Sequence, residues 1–141
     1  MSEYEASPSD WVADHVERYE RTGGKDGGEF NGVACVILTT TGRKTGKTRK
    51  TPLVRVPHGD GYLVIASMGG QPKHPVWYLN VLAHPQVALQ DGPDRRDYAA
   101  RVAEGDERAE LWDVAVAAYA DYADYQERCD REIPVVVLEP T

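Results

Sequence analysis

Long hydrophobic runs are missing from these 141 residues, and no apolar stretch approaches the ~18 residues of a membrane span. The first residues, Met1-Ser2-Glu3-Tyr4-Glu5, are acidic and lack the apolar core of a signal peptide. Cysteine is scarce: Cys35 and Cys129 form no close motif, so a reducing cytoplasm and no disulfide framework are expected. Cys35 alternates with apolar neighbours and reads as a small core residue. His15, His58, His74 and His84 are scattered, with no His-Glu-x-x-His and no Cys-x-x-Cys, so no metal site is expected. No Gly-x-Ser-x-Gly marks a hydrolase elbow, and no Gly-x-Gly-x-x-Gly marks a Rossmann nicotinamide site. Basic charge is also short, with 16 Lys+Arg against 23 Asp+Glu and a formal charge of -7. That balance argues against bulk binding of nucleic acid.

One local absence organises the rest. From Phe30 to Gly59 there is no acidic residue. Inside that window lies Gly-Arg-Lys-Thr-Gly-Lys-Thr-Arg-Lys-Thr-Pro, from Gly42 to Pro52. It holds Arg43, Lys44, Lys47, Arg49 and Lys50, with Arg55 just beyond. An acidic chain that keeps an unneutralised cationic turn has a place for an anion to dock. A solvated hairpin that uses Lys and Arg for solubility is the plainer alternative. The turn nearly spells a P-loop, since Gly46-Lys47-Thr48 matches its end. The required earlier glycine is Thr41, however, and the chain runs on into Pro52 and a strand pattern rather than a helix.

Hydrophobic content of 41% and charged content of 28% are ordinary for a globular chain, and the length suits one domain. Residues 1–29 read as an amphipathic helix followed by a glycine-rich loop, and residues 30–141 as the main body. Ser7-Pro8-Ser9-Asp10 is a helix-start signal; Trp11, Val12, Val16 and Tyr19 form the apolar stripe; Gly23-Gly24 is the stop. The helix packs across the domain or serves as a flap or membrane-surface contact. Strands are expected at Val33–Thr41, Thr51–Val56, Tyr62–Ser67, Val87–Gln90, Arg96–Val102 and Ile133–Leu138. A short helix is expected over Val76–Ala83, and a long one from Glu107, after a Gly105-Asp106 cap, to about Arg128. The total is six strands and three helices. Most connections are too short for parallel crossovers, so an α+β antiparallel sheet or small barrel with packed helices is expected.

Two further constellations offer chemistry. The helix after Pro75 presents free backbone N–H groups, and Trp77 and Tyr78 offer flat surfaces, unless both are core. Tyr119, Tyr122 and Tyr125 fall within a ~120° arc if one helix carries them. Phenols stack, donate hydrogen bonds and, near pKa ~10, pass a proton to an oxyanion. A packed aromatic stripe is the structural alternative.

Together these stretches resemble the deazaflavin (coenzyme F420)-dependent nitroreductase family of actinobacteria. The resemblance rests on Thr-Gly-Arg-Lys-Thr-Gly-Lys-x-Arg with Pro52-Leu53, Ala66-Ser67-x-Gly69-Gly70, and Pro75-x-Trp77-Tyr78-Leu79-Asn80. It continues through His84-Pro85, Tyr119-x-x-Tyr122-x-x-Tyr125-Gln126 and Ile133-Pro134-Val135-Val136. It implies a split β-barrel related to the FMN-binding pyridoxamine-phosphate oxidases. Arg43, Lys44 and Thr45, then Arg49, Lys50, Thr51, Pro52, Leu53 and Val54, would hold the cofactor's phosphodiester and oligoglutamate tail. Ile65, Ala66, Ser67 and Met68, with Val76, Trp77, Tyr78, Leu79 and Asn80, would line the deazaflavin ring. Tyr122 would touch the ring or substrate, Tyr119 and Tyr125 would wall the substrate pocket, and Ser67 could donate a hydrogen bond. Tyr122, Tyr119 and Ser67 are thus the catalytic candidates. The family's better-known nitroreductases often carry Lys where Met68 stands, so one cation near the cofactor is lost.

The implied activity is hydride transfer from reduced F420 to a quinone, enone or nitroaromatic acceptor. An FMN-dependent reductase of the same fold and a non-catalytic anion-binding module are the alternatives. A cytoplasmic monomer or homodimer, with at most peripheral membrane contact, completes the expectation.

Overall fold

The computed structural model describes residues 10–30 and 32–141. Helix α1 (Asp10–Thr22) turns Val12, Val16 and Tyr19 inward and stops at Gly23 (φ 63°) and Gly24 (φ 85°), as its sequence predicts, whereas Trp11, the fourth residue of the expected stripe, is exposed. The start signal Ser7-Pro8-Ser9 lies outside the described residues. The chain continues through β1 (Glu29–Phe30), β2 (Val33–Thr41), β3 (Thr48–Val54), β4 (Val56–His58) and β5 (Gly61–Ile65). A 3-10 turn (Met68–Gly70) leads to α2 (Val76–Ala83) and the hairpin of β6 (Gln86–Asp91) and β7 (Asp94–Val102). Helices α3 (Gly105–Ala118) and α4 (Asp121–Arg128) precede β8 (Val135–Pro140).

Every pairing is antiparallel, in the order β1-β2-β6-β7-β8-β5-β4 with β3 also on β2. Among the described residues eight strands stand where six are expected. One addition is the two-residue β1. The other arises because the expected strand Thr51–Val56 is two strands that part at Arg55. The Arg55 N–H donates to the Ala34 carbonyl at 2.8 Å, and its Nε donates to Asp91 at 2.8 Å. Before this corner the chain pairs with β2; after it, with β5. One continuous segment therefore joins the two edges of the sheet and curls it into a barrel. Among the described residues no ladder joins β3 to β5, so the wall is split there.

β3 also begins earlier than expected. Thr39, Thr40 and Thr41 extend the ladder to Lys50, Arg49 and Thr48, so Arg49 and Lys50 are strand residues. The tip shrinks to residues 42–47, closed by Gly42 N–H to Lys47 O at 2.8 Å, with Gly46 at φ 71°.

Strand alternation sorts the core. Val36 and Leu38 of β2, Val64 of β5, and Val136 and Leu138 of β8 point into the barrel, where Trp77, Tyr78 and Val81 of α2 fill it. Leu63, Ile65, Val135 and Val137 point outward under α3 and α4. Cys35 and Ile37 point outward under α1. Both faces of these strands are buried, which explains their near-continuous apolar runs.

The helix expected from Glu107 to about Arg128 is two helices, with Glu104 rather than Gly105-Asp106 at the cap. Tyr119 leaves helical geometry at φ -149°, ψ 99°, although its N–H still reaches the Ala115 carbonyl at 2.9 Å. No Pro or Gly causes this break. Asp121 and Asp124 in the first turn of α4 favour a new N-terminus, and burial of Tyr119 and Tyr122 holds the bend.

Candidate active site

The split between β3 and β5 opens into a cavity of about 480 Å³. Cys35, Pro52, Val54 and Ile65 line it from the outer face of the barrel, and Thr51 and Leu53 from β3 as well. Trp11 and Val12 of α1 border it, as do Tyr119, Tyr122 and Tyr125 from the α3–α4 bend. Ser67 and Met68 come from the loop after β5, and Pro75 and Trp77 from the start of α2. The lining is mostly carbon.

The β3 edge at this cavity has a specific chemistry. The Arg55 N–H bond to Ala34, together with the register Val54↔Cys35, fixes which amides of β3 point at β2. By alternation those of Arg49, Thr51 and Leu53 point at β2, and those of Lys50, Pro52 and Val54 point away. Proline therefore sits where the ladder needs no N–H. From Thr51 the strand runs directly into Lys50, Arg49 and the tip, so the cationic hairpin begins where the cavity ends. Arg43, Lys44 and Thr45 at the tip are exposed. Lys50 is not unneutralised as its sequence window suggests: its Nζ meets Glu20 of α1 at 2.5 Å. Arg55 is likewise committed to Asp91.

The three phenols do come together, through the bend rather than along one helix. Their ring centroids lie 5.1 to 6.2 Å apart, all edge-on. The Tyr119 and Tyr125 hydroxyls lie 3.3 Å from each other. Burial, then Tyr119 and Tyr125, push the Tyr122 phenol well above its usual range, so it stays protonated at neutral pH. Burial pushes the neighbouring Cys35 thiol up to about 11, which makes it a poor nucleophile.

The other sequence candidates divide. Trp77 reaches the cavity, whereas Tyr78 and Leu79 pack with the barrel core and Val76 is exposed. Ala66 is fully buried in the same core. Asn80 faces away from the cavity and ties α2 to the hairpin: its Nδ2 donates to Thr40 Oγ1 at 3.3 Å, and its Oδ1 accepts the Arg43 N–H at 3.1 Å. Met68 is the one non-glycine residue with positive φ (47°) among those described, and its side chain is half exposed at the cavity.

Several residues escape sequence reasoning. Trp11, Val12 and Cys35 border the cavity from elements that carry no motif. Glu20 answers the cationic turn from thirty residues away. Arg131, inside an ordinary-looking charged run, hydrogen-bonds the loop that carries Ser67 and Met68. Only the three-dimensional neighbourhood marks these.

An antiparallel split barrel with an aromatic, largely apolar cavity and an adjoining cationic hairpin is the build of a reductase that binds a flat, anion-tailed redox cofactor. Residues 11–140 match the family described as F420H(2)-dependent quinone reductase. The chain belongs to that family: it is an oxidoreductase, and its cofactor is coenzyme F420. An F420H(2)-dependent quinone reductase of Mycobacterium tuberculosis is 39% identical over 128 residues, which span 88% of this chain and 86% of the relative. A solved F420-H2 dependent reductase is 51% identical over 74% of this chain and 93% of its own, with a TM-score of 0.70. A second solved chain, described as a domain-swapped dimer, is 46% identical over 94% of this chain and all of its own, with a TM-score of 0.72. A pyridoxamine 5'-phosphate oxidase-type structure from Listeria innocua shares the fold alone, at 12% identity and a TM-score of 0.53.

Proposed function

We propose that this chain reduces a quinone in the cavity at the split, with F420H2 as the hydride donor. The observation that carries the reading is the union of one apolar, phenol-walled cavity with one cationic hairpin along a single strand, β3. The fit to the cofactor is physical. A flat ring matches walls built from Trp77, Leu53, Val54 and Ile65, and the outward-facing amide of Val54 offers a donor at the cavity edge. An anionic tail matches Arg43, Lys44, Thr45, Arg49 and Thr51 on the hairpin. Lys50 joins this group only by sharing its ammonium with Glu20.

Bound reduced F420 supplies the hydride. The protein's part is geometry, exclusion of water and a proton donor. Tyr122 is the candidate donor, because its phenol carries its proton at neutral pH and borders the cavity beside Tyr119 and Tyr125. The Tyr119–Tyr125 pair orients the neighbouring rings, and Ser67 lines the same cavity as a further hydroxyl-bearing residue. Enones and nitroaromatics offer the same electron-poor acceptor chemistry and extend the substrate class. Met68 contributes no charge to the cavity lining and so does not itself draw an anionic acceptor. A homodimer is the favoured assembly, supported by the domain-swapped relative; a monomer mass by light scattering contradicts it.

The test is anaerobic turnover of F420H2 with a small naphthoquinone, an enone and a nitroaromatic in parallel. The reading expects F420 to be regenerated fastest with the quinone. No turnover with any of the three overturns it.

A further inference from the structure

The loop between β5 and α2 carries Ser67 and Met68 into the cavity, yet it has little of its own to hold it. Its regular bonds are one 3-10 turn, Gly70 N–H to Ser67 O at 2.9 Å and Gln71 N–H to Met68 O at 3.2 Å. Met68 sits at φ 47°, a conformation that a non-glycine residue keeps only when its surroundings enforce it. The residues on either side of it are held by a guanidinium from the far end of the chain. Arg131 Nη1 donates to Ala66 O at 3.0 Å, Nη2 to Ser67 O at 2.9 Å and Nε to Gln71 O at 3.0 Å. The same Nη1 lies 3.2 Å from His74 Nδ1, and burial and the Arg131 charge both push the His74 imidazole below its usual range. One planar fork thus gathers three carbonyls and a ring nitrogen across nine residues, 66 to 74.

The fork is itself fixed to the phenol wall. Gln126, one residue after Tyr125, donates through Nε2 to the Arg131 carbonyl at 2.8 Å and accepts the Ile133 N–H through Oε1 at 2.9 Å. The loop meets the same helix a second way, independent of Arg131. A Cβ at Gly70 would lie 2.9 Å from the Tyr125 carbonyl, so this glycine lets the loop seat directly on α4. The Ser67–Met68 side and the Tyr122–Tyr125 side of the cavity are therefore referenced to each other twice, by the Gly70 contact with α4 and by the Arg131–Gln126 link.

We propose that Arg131 is a positioning residue for the reduction: its guanidinium fixes the Ser67–Met68 wall against the phenol wall and so sets the aperture in which acceptor and reduced cofactor meet. The proposal rests on the reading that this cavity is the reaction site. Lysine cannot replace the fork, because an ammonium is a compact point donor and lacks the planar spread that reaches the Ala66, Ser67 and Gln71 carbonyls together. The bonds of the Arg131 guanidinium go to residues 66–74 and not to the hairpin proposed to bind the tail.

The experiment compares wild type with Arg131→Lys and Arg131→Ala in three readouts. Backbone hydrogen exchange of the ligand-free protein reports the loop directly, and both variants should raise it at residues 67–74 while leaving β6 and β7 unchanged. Steady-state reduction of a naphthoquinone should lose about tenfold or more in kcat, while F420 affinity by fluorescence changes less than about threefold. Millimolar guanidinium, but not equal sodium chloride, should restore part of the Arg131→Ala rate. Unchanged exchange at 67–74, unchanged kcat in Arg131→Lys, or a rate loss matched by an equal loss of F420 affinity overturns the proposal. If Arg131→Ala does not fold, Arg131→Lys decides alone by exchange and kcat. If wild type reduces no quinone, the functional reading fails, and exchange at 67–74 still decides whether Arg131 holds the wall.

Discussion

Tyr19 and Tyr122 are both buried phenols, and the difference between them separates structure from chemistry. The Tyr19 hydroxyl accepts the Gly92 N–H at 2.7 Å and donates towards the Cys35 and Gln90 carbonyls at 3.1 and 3.3 Å. It staples α1 to two strands. Tyr19→Phe removes the partner of the part-buried Gly92 N–H and should cost about 1 kcal/mol in urea unfolding, with little effect on turnover. Tyr122 instead borders the cavity, so Tyr122→Phe should keep the fold and lower kcat with a quinone by about 100-fold, more than it weakens F420 binding. Equal turnover removes the residue from the mechanism. Burial also raises Tyr122, and it raises Tyr62, beside Asp91, to about 12. A folded-state pKa above the unfolded ~10 stabilises the protein fully below pH ~10, and that stability is lost as pH rises through the folded value. Thermal melts should therefore fall steeply above pH ~10, and Tyr122→Phe should fall less over the same range. A variant that follows wild type contradicts the burial argument.

At the scale of elements, β3 carries the account. Register puts Arg49 on the same face as Thr51 and Leu53, and Lys50 on the face of Pro52, towards α1. Arg49→Ala should weaken F420 binding about tenfold and flatten its salt dependence; unchanged affinity shows that the tail lies elsewhere. Asn80→Ala, which frees the Arg43 end of the hairpin from α2, should weaken binding less and cost about 1–3 kcal/mol of stability. Element type was largely legible in the sequence, because β-branched runs, Gly23-Gly24 and Pro75 act locally. What escaped was set by distant partners. Nothing within residues 48–50 reveals that Thr39–Thr41 will extend the ladder to them. Nothing within 105–128 outweighs helical periodicity until Tyr119 finds a place to bury. The corner at Arg55 depends on Asp91, thirty-six residues away. The three tyrosines were legible as a group although the geometry that joins them was not, since a three-residue spacing brings rings together across a bend as well as along a helix.

At the scale of the whole molecule, closure of the sheet by the β3–β4 segment places the cavity, the phenol wall and the hairpin at one seam. The family, cofactor class and barrel were legible because short motifs in a specific order lie along the segments that meet at that seam. The Arg131 fork and the Glu20–Lys50 pair were not, because neither has a local pattern. An acidic molecule of formal charge -7 that sets five of its 16 Lys and Arg on one hairpin should bind an anionic cofactor with strong salt dependence. The most direct measurement is a fluorescence titration of the purified protein with F420 at two salt concentrations, with FMN titrated in parallel. The account predicts saturable F420 binding that weakens as salt rises and exceeds FMN binding at both. Absence of F420 binding, or preference for FMN, contradicts it.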